Sequence, residues 1–138
     1  MSKLEQRRKD IAKAQELARS GVLFAPAAFL NASVDELLEI CNGCGAADSW
    51  FRPPKRIYGT LIVYACIIHD FMYEKGFTIE DKDEADRVFC NNMNRLITID
   101  SVKWYKPTFL QRRRALKYYY AVKQFGGEAF WAGKTKMA

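Results

Sequence analysis

The sequence has a single histidine, His69, only four prolines, and no apolar run long enough to cross a bilayer. The longest such run covers residues 61–68, far short of the roughly 20 residues a membrane-spanning helix needs. Residues 1–21 are polar and helical in pattern, without the apolar core of a secretory signal. The chain therefore reads as cytoplasmic as synthesised, with packaging into a virion or release by lysis as routes out. No repeat, low-complexity tract or domain linker interrupts it, which favours one domain over residues 1–138.

What is present fits a folded protein of that size. Hydrophobic residues make up 49% of the 138 and charged residues 28%, which excludes wholesale disorder. The net charge is +6, from 22 basic against 16 acidic residues. That balance favours an anionic partner, phospholipid or nucleic acid, without separating the two. Four cysteines (Cys41, Cys44, Cys66 and Cys90) are an even number, yet a reducing compartment argues against assuming disulfides.

Apolar spacing predicts an all-α chain. A basic helix spans 2–19, with Leu4, Ile11 and Leu17 as a thin apolar stripe and Gly21 as its stop. Residues 22–31, with Pro26, read as a connector. Ser33 and Glu36 form a capping box for a helix over 34–40, which Asn42-Gly43 and Gly45 end; 41–58 is loop-like. A helix over 60–75 closes at Gly76. Thr78 or Asp81 caps another, over 82–96. Pro107-Thr108 opens a long helix over 109–125, ended by Gly126-Gly127. Phe130 and Trp131, in the 128–138 tail, are expected to dock on the body.

The candidate chemistry lies on the helices over 60–75 and 82–96. Phe89, Cys90, Met93, Leu96 and Ile97 recur at spacings of three and four, so they form a buried face. Asp86 continues that face one turn earlier, and a carboxylate facing the core needs a partner. On the preceding helix Leu61, Ala65, Ile68 and Met72 define a buried side, with His69 at its edge and Tyr73 one turn beyond. Packed antiparallel, the two helices let His69 and Tyr73 both reach Asp86. One imidazole nitrogen is then held by a carboxylate and the other can take a proton from water, as a general base requires. Asp70 points about 100° away from that pair and suits a hard cation. Backbone carbonyls of the glycine-rich segment Asn42-Gly43-Cys44-Gly45 would complete the cation's shell.

Ala65-Cys66-Ile67-Ile68-His69-Asp70-Phe71-Met72-Tyr73 resembles the active-site helix of the phospholipase A2 superfamily, most nearly its bacterial and fungal branch. Asn42-Gly43-Cys44 resembles the calcium segment of that branch, with Asn42 where an acidic ligand is usual. Asp86, Phe89 and Met93 resemble its second catalytic helix. The resemblance covers about residues 41–97. It implies a calcium-dependent hydrolase of the sn-2 ester of phospholipids, acting at a membrane surface. His69 would activate water, Asp86 orient it and Tyr73 hydrogen-bond Asp86. Asp70 with Asn42, Gly43, Cys44 and Gly45 would hold Ca2+, and Cys44 would pair with Cys66.

Two other readings use the same residues. Cys41-x-x-Cys44 and Cys66-x-x-His69 have the half-site spacings of structural zinc, though zinc leaves Asp70, Tyr73 and Asp86 without a role. A catalytically inactive scaffold, for example a phage structural protein, would keep the helix pair and bind anionic partners. Arg112-Arg113-Arg114, Lys117 and Lys123 give the helix over 109–125 a basic side opposite Leu110, Tyr118, Tyr119, Val122 and Phe125. No recognised nucleic-acid motif accompanies that side, which ranks anionic lipid first. Trp50, Phe51 and Trp104 are candidate interfacial aromatics.

Overall fold

The computed structural model describes residues 2–41, 54–132 and 134. The chain is mostly helical, with seven helices and one two-stranded sheet among these residues. In order they are α1 (Lys3–Arg19), α2 (Ala27–Asn31), α3 (Val34–Ile40), β1 (Arg56–Ile57), β2 (Thr60–Leu61), α4 (Val63–Lys75), α5 (Ile79–Asp100), α6 (Thr108–Phe125) and α7 (Gly127–Trp131).

Local chemistry sets most of these boundaries. Ser2 caps α1 and Ser33 caps α3, each hydroxyl accepting the backbone N–H three residues on. Thr78 and Asp81 form a reciprocal capping box at the start of α5. That helix therefore begins at Ile79, one turn before the start read from periodicity, and it continues to Asp100. The connector over 22–31 contains a short helix, α2, that begins immediately after Pro26.

The expected helix over 60–75 starts instead at Val63, because a hairpin occupies its first turn. Arg56 pairs with Leu61 and Ile57 with Thr60, antiparallel. The two linking residues, Tyr58 and Gly59, both have positive φ (44° and 86°), as a type I′ turn demands.

The antiparallel pair α4–α5 forms the middle of the molecule. Thr60, just before α4, bonds to Asp100 at the end of α5, and Tyr73, late in α4, bonds to Asp86, early in α5. α1 packs across α4 through Ile11 and Ala14, both fully buried, while Leu4 is exposed. Phe29 meets Phe71 edge-on at 5.4 Å. Asn92, fully buried on α5, takes the N–H of Phe24 and donates to its carbonyl, both at 2.9 Å. The 22–26 connector is thereby pinned to the core.

On its other side α5 packs against α6, whose inward line is Gln111, Ala115 and Val122, while Leu110 and Phe125 are exposed. The apolar side read from sequence is therefore rotated. Gln111 takes the buried position because its amide nitrogen has partners there: it donates to the carbonyls of Ile57 and Tyr58 and to the Thr60 hydroxyl. A polar residue thus fastens the hairpin to α6. α7 brings Phe130, fully buried, edge-on to Tyr73 at 5.2 Å.

Candidate active site

α4 places His69 and Tyr73 one turn apart, and α5 places Lys82, Asp86 and Phe89 on its facing side. The carboxylate of Asp86, 1% exposed, is the hub. Its Oδ1 accepts from His69 Nε2 at 2.9 Å and from the Tyr73 hydroxyl at 2.6 Å. Its Oδ2 accepts from Lys82 Nζ at 2.7 Å. His69 is itself buried rather than at the edge of its helix. Its ring lies between Tyr73, with centroids 4.1 Å apart, and Phe89, stacked at 4.6 Å and 28°.

Lys82 is the member that sequence reasoning missed. Its ammonium donates to Asp86 and also to the carbonyls of Val122 (3.0 Å) and Lys123 (3.3 Å) in the last turn of α6. Three donors thus meet three acceptors, and the negative end of a helix dipole lies beside the cation. The spacing of Lys82 and Asp86, one turn apart, was the available signal. Read as apolar periodicity, Lys82 marks only the start of the helix, because lysine is seldom buried without a partner.

Glycine shapes the same spot. A Cβ on Gly126 would stand 2.5 Å from the Tyr73 hydroxyl oxygen, and that hydroxyl is fixed by its bond to Asp86. Lys134 donates to the Tyr73 carbonyl and lies 3.9 Å over the Phe130 ring. The chain after α6 therefore folds back over the end of α4.

Electrostatics follow from this geometry. Burial alone would raise the Asp86 carboxyl, but hydrogen bonds from His69, Lys82 and Tyr73 outweigh it and hold the group below the usual carboxylate range. Burial, then the adjacent Asp86 charge, raises the Tyr73 phenol, so it remains a protonated donor. An ionised carboxylate only accepts. A neutral His69 ring must therefore carry its proton on Nε2, with the lone pair on Nδ1.

The Asp86 shift has a defined consequence for stability. The folded value lies below the unfolded one, so its contribution is present above the unfolded carboxylate value, about 4. It is lost as pH falls through the folded value. Urea denaturation midpoints are expected to drop on acidification below about pH 4. The drop should be shallower in Lys82→Met/Asp86→Leu, where Asp81 and Asp100, also lowered, still titrate. Equal acid slopes in the two proteins would contradict the depressed Asp86.

Asp70 is half-buried on α4. Its charge is felt at Cys41, whose thiol is pushed up to about 12 by burial first and then by Asp70 and Glu74. It is felt also at buried Cys66. Asp70 thus lies near the end of α3, where the segment holding Asn42, Gly43, Cys44 and Gly45 begins; those four lie outside the described residues. Among the described residues Cys41, Cys66 and Cys90 are free thiols. Cys44, the partner implied for Cys66, is not among them. Cys90 is half-buried rather than packed in the core. No three His, Cys, Asp or Glu side chains gather as a metal cluster among the described residues.

Comparison with protein-family models, with curated proteins and with solved structures found no match to this chain.

Proposed function

We propose that this chain is a calcium-dependent, phospholipase A2-like hydrolase that cleaves the sn-2 ester of phospholipids. One observation carries the reading: His69 Nε2 and the Tyr73 hydroxyl share a single oxygen of Asp86. That bond fixes the imidazole tautomer and leaves the Nδ1 lone pair for a water proton. Asp86 steadies the ring as it becomes cationic, and Tyr73 and Lys82 hold Asp86 in turn. The ring stack of Phe89 on His69 limits rotation of the base. Asp70 supplies a hard anionic oxygen on the side of α4 facing Cys41, so it would hold Ca2+ with carbonyls of residues 42–45. Bound calcium would supply charge to polarise the ester carbonyl and stabilise the oxyanion.

The test is turnover of ester phospholipid vesicles by the full chain, with calcium or with chelator. Calcium-dependent release of fatty acid is expected. His69→Asn should lower it by about a thousandfold, with an unchanged circular dichroism spectrum. Turnover that survives this substitution, or that ignores chelation, sinks the mechanism.

A second reading, the inactive scaffold, draws on Lys82. A full positive charge 2.7 Å from Asp86 already balances the carboxylate, so less negative potential is left to stabilise an imidazolium. A folded wild-type protein that shows neither turnover nor a calcium-linked change in melting temperature would favour that reading.

A further inference from the structure

A cluster of exposed apolar side chains and a strong excess of positive charge lie in the same place. Residues 95–117 hold seven of the 22 basic residues and one of the 16 acidic ones, so the rest of the chain carries fifteen of each. The end of α5, the α5–α6 turn and the first half of α6 therefore carry a net +6, while the positive charge of α1 is offset by acidic residues elsewhere in the chain. The turn also exposes Val102 at 85% and Trp104 at 93%, and the start of α6 exposes Phe109 at 76%. Isolated exposed apolar residues are ordinary; here they cluster in the turn and the start of α6, with the Trp104 and Tyr105 rings edge-on at 6.0 Å.

The surface continues along α6. Phe109, Arg113, Leu116 and Tyr120 follow one another at four-, three- and four-residue steps, so they share a stripe. That stripe lies about 200° around the helix from buried Gln111. All four are exposed, and Lys117 borders them. Aromatic and aliphatic side chains interleaved with Arg and Lys are the composition of a helix lying in a membrane interface. Trp and Tyr belong at head-group depth, and each basic residue there adds attraction to anionic lipid. The other end of α5 gives a contrast: Phe77 and Ile79 are exposed there too, but Glu80, Asp81, Asp83 and Glu84 follow them. An anionic surface would repel that end.

From this coincidence we infer that the α5–α6 turn and the outer stripe of α6 dock on an anionic phospholipid membrane, with α6 lying along the surface. Val102, Trp104 and Phe109 enter the interface, while Arg113 and Lys117 meet head groups. Duplex nucleic acid would use the same positive charge but would leave Val102, Phe109 and Leu116 without a role. The link between docking and lipid hydrolysis rests on the reading above; the docking itself does not.

Binding to vesicles of diether phospholipid, which have no ester to cleave, separates the two. The full chain in chelator is expected to sediment with diether phosphatidylglycerol vesicles and far less with diether phosphatidylcholine. Trp104→Ala/Phe109→Ala alters two exposed side chains and should weaken the partition at least roughly tenfold, with the thermal melt unchanged. Failure of the wild type to bind phosphatidylglycerol would overturn the proposal. So would binding that the double substitution leaves intact, or a preference for a DNA duplex over vesicles. Docking without ester turnover would sink only the hydrolase; turnover indifferent to Trp104 and Phe109 would sink only the docking surface.

Discussion

Alanine at Asp86 is expected to lower the folding free energy by about 3–5 kcal/mol, among the largest losses of any substitution in the site. The cause is what remains. The Lys82 side chain, 10% exposed, stays inside without its counter-charge, and the His69 Nε2–H and Tyr73 hydroxyl lose their shared acceptor. Replacing charge by shape should reverse most of this. Lys82→Met/Asp86→Leu is expected within about 1–2 kcal/mol of wild type, because a buried ion pair and an apolar pair of similar volume are often close in stability. Urea denaturation of the two single variants and the double gives the coupling directly. A cost below about 1 kcal/mol for Asp86→Ala would mean that water reaches the cluster and that its burial has little energetic weight. The double variant also tests function: a protein as stable as wild type that has lost all turnover locates the defect in chemistry and not in folding.

Phe89→Ala comes next, at about 3–5 kcal/mol for a phenyl ring removed from the core. Its particular signature is at His69. The ring stacked at 4.6 Å disappears, and the imidazole gains room to rotate. Because His69 is the only histidine, its ring-proton resonances need no disentangling. They should shift and broaden in Phe89→Ala. Phe71→Ala removes an equally buried ring whose edge partner is Phe29, so it should destabilise by a similar amount while leaving those resonances in place. Identical spectra for both variants would show that Phe89 is ordinary core packing with no hold on the base.

The site residues on the two central helices were readable because their logic is short-range. Four-residue spacing puts His69 and Tyr73 on one face, and a carboxylate on an apolar stripe must find a donor. Lys82 and Gln111 were not readable, for a shared reason. Each is a polar residue at a buried position that also needs distant backbone carbonyls, 40 residues away for Lys82 and 54 for Gln111, beside the side chains of Asp86 and Thr60. Periodicity registers only whether a side chain is apolar. The same blindness rotated the apolar side of α6 toward Leu110 and Phe125. The Tyr58–Gly59 hairpin was hidden because Thr60, Leu61 and Ile62 also fit the start of a helix, and only the positive φ values of the turn decide against it.

The contact between Lys82 and the carbonyls of Val122 and Lys123 bears on the order of assembly during synthesis. When α4 and α5 have left the ribosome, His69, Tyr73, Lys82 and Asp86 are all present, but the carbonyls that hold the lysine are not yet made. Until then two of the three acceptors of the ammonium are missing. The arrival of the last turn of α6, with Gly126 making room for the Tyr73 hydroxyl, closes the cluster. A chain arrested before the last turn of α6 therefore carries His69, Tyr73, Lys82 and Asp86 without the carbonyls that hold the lysine.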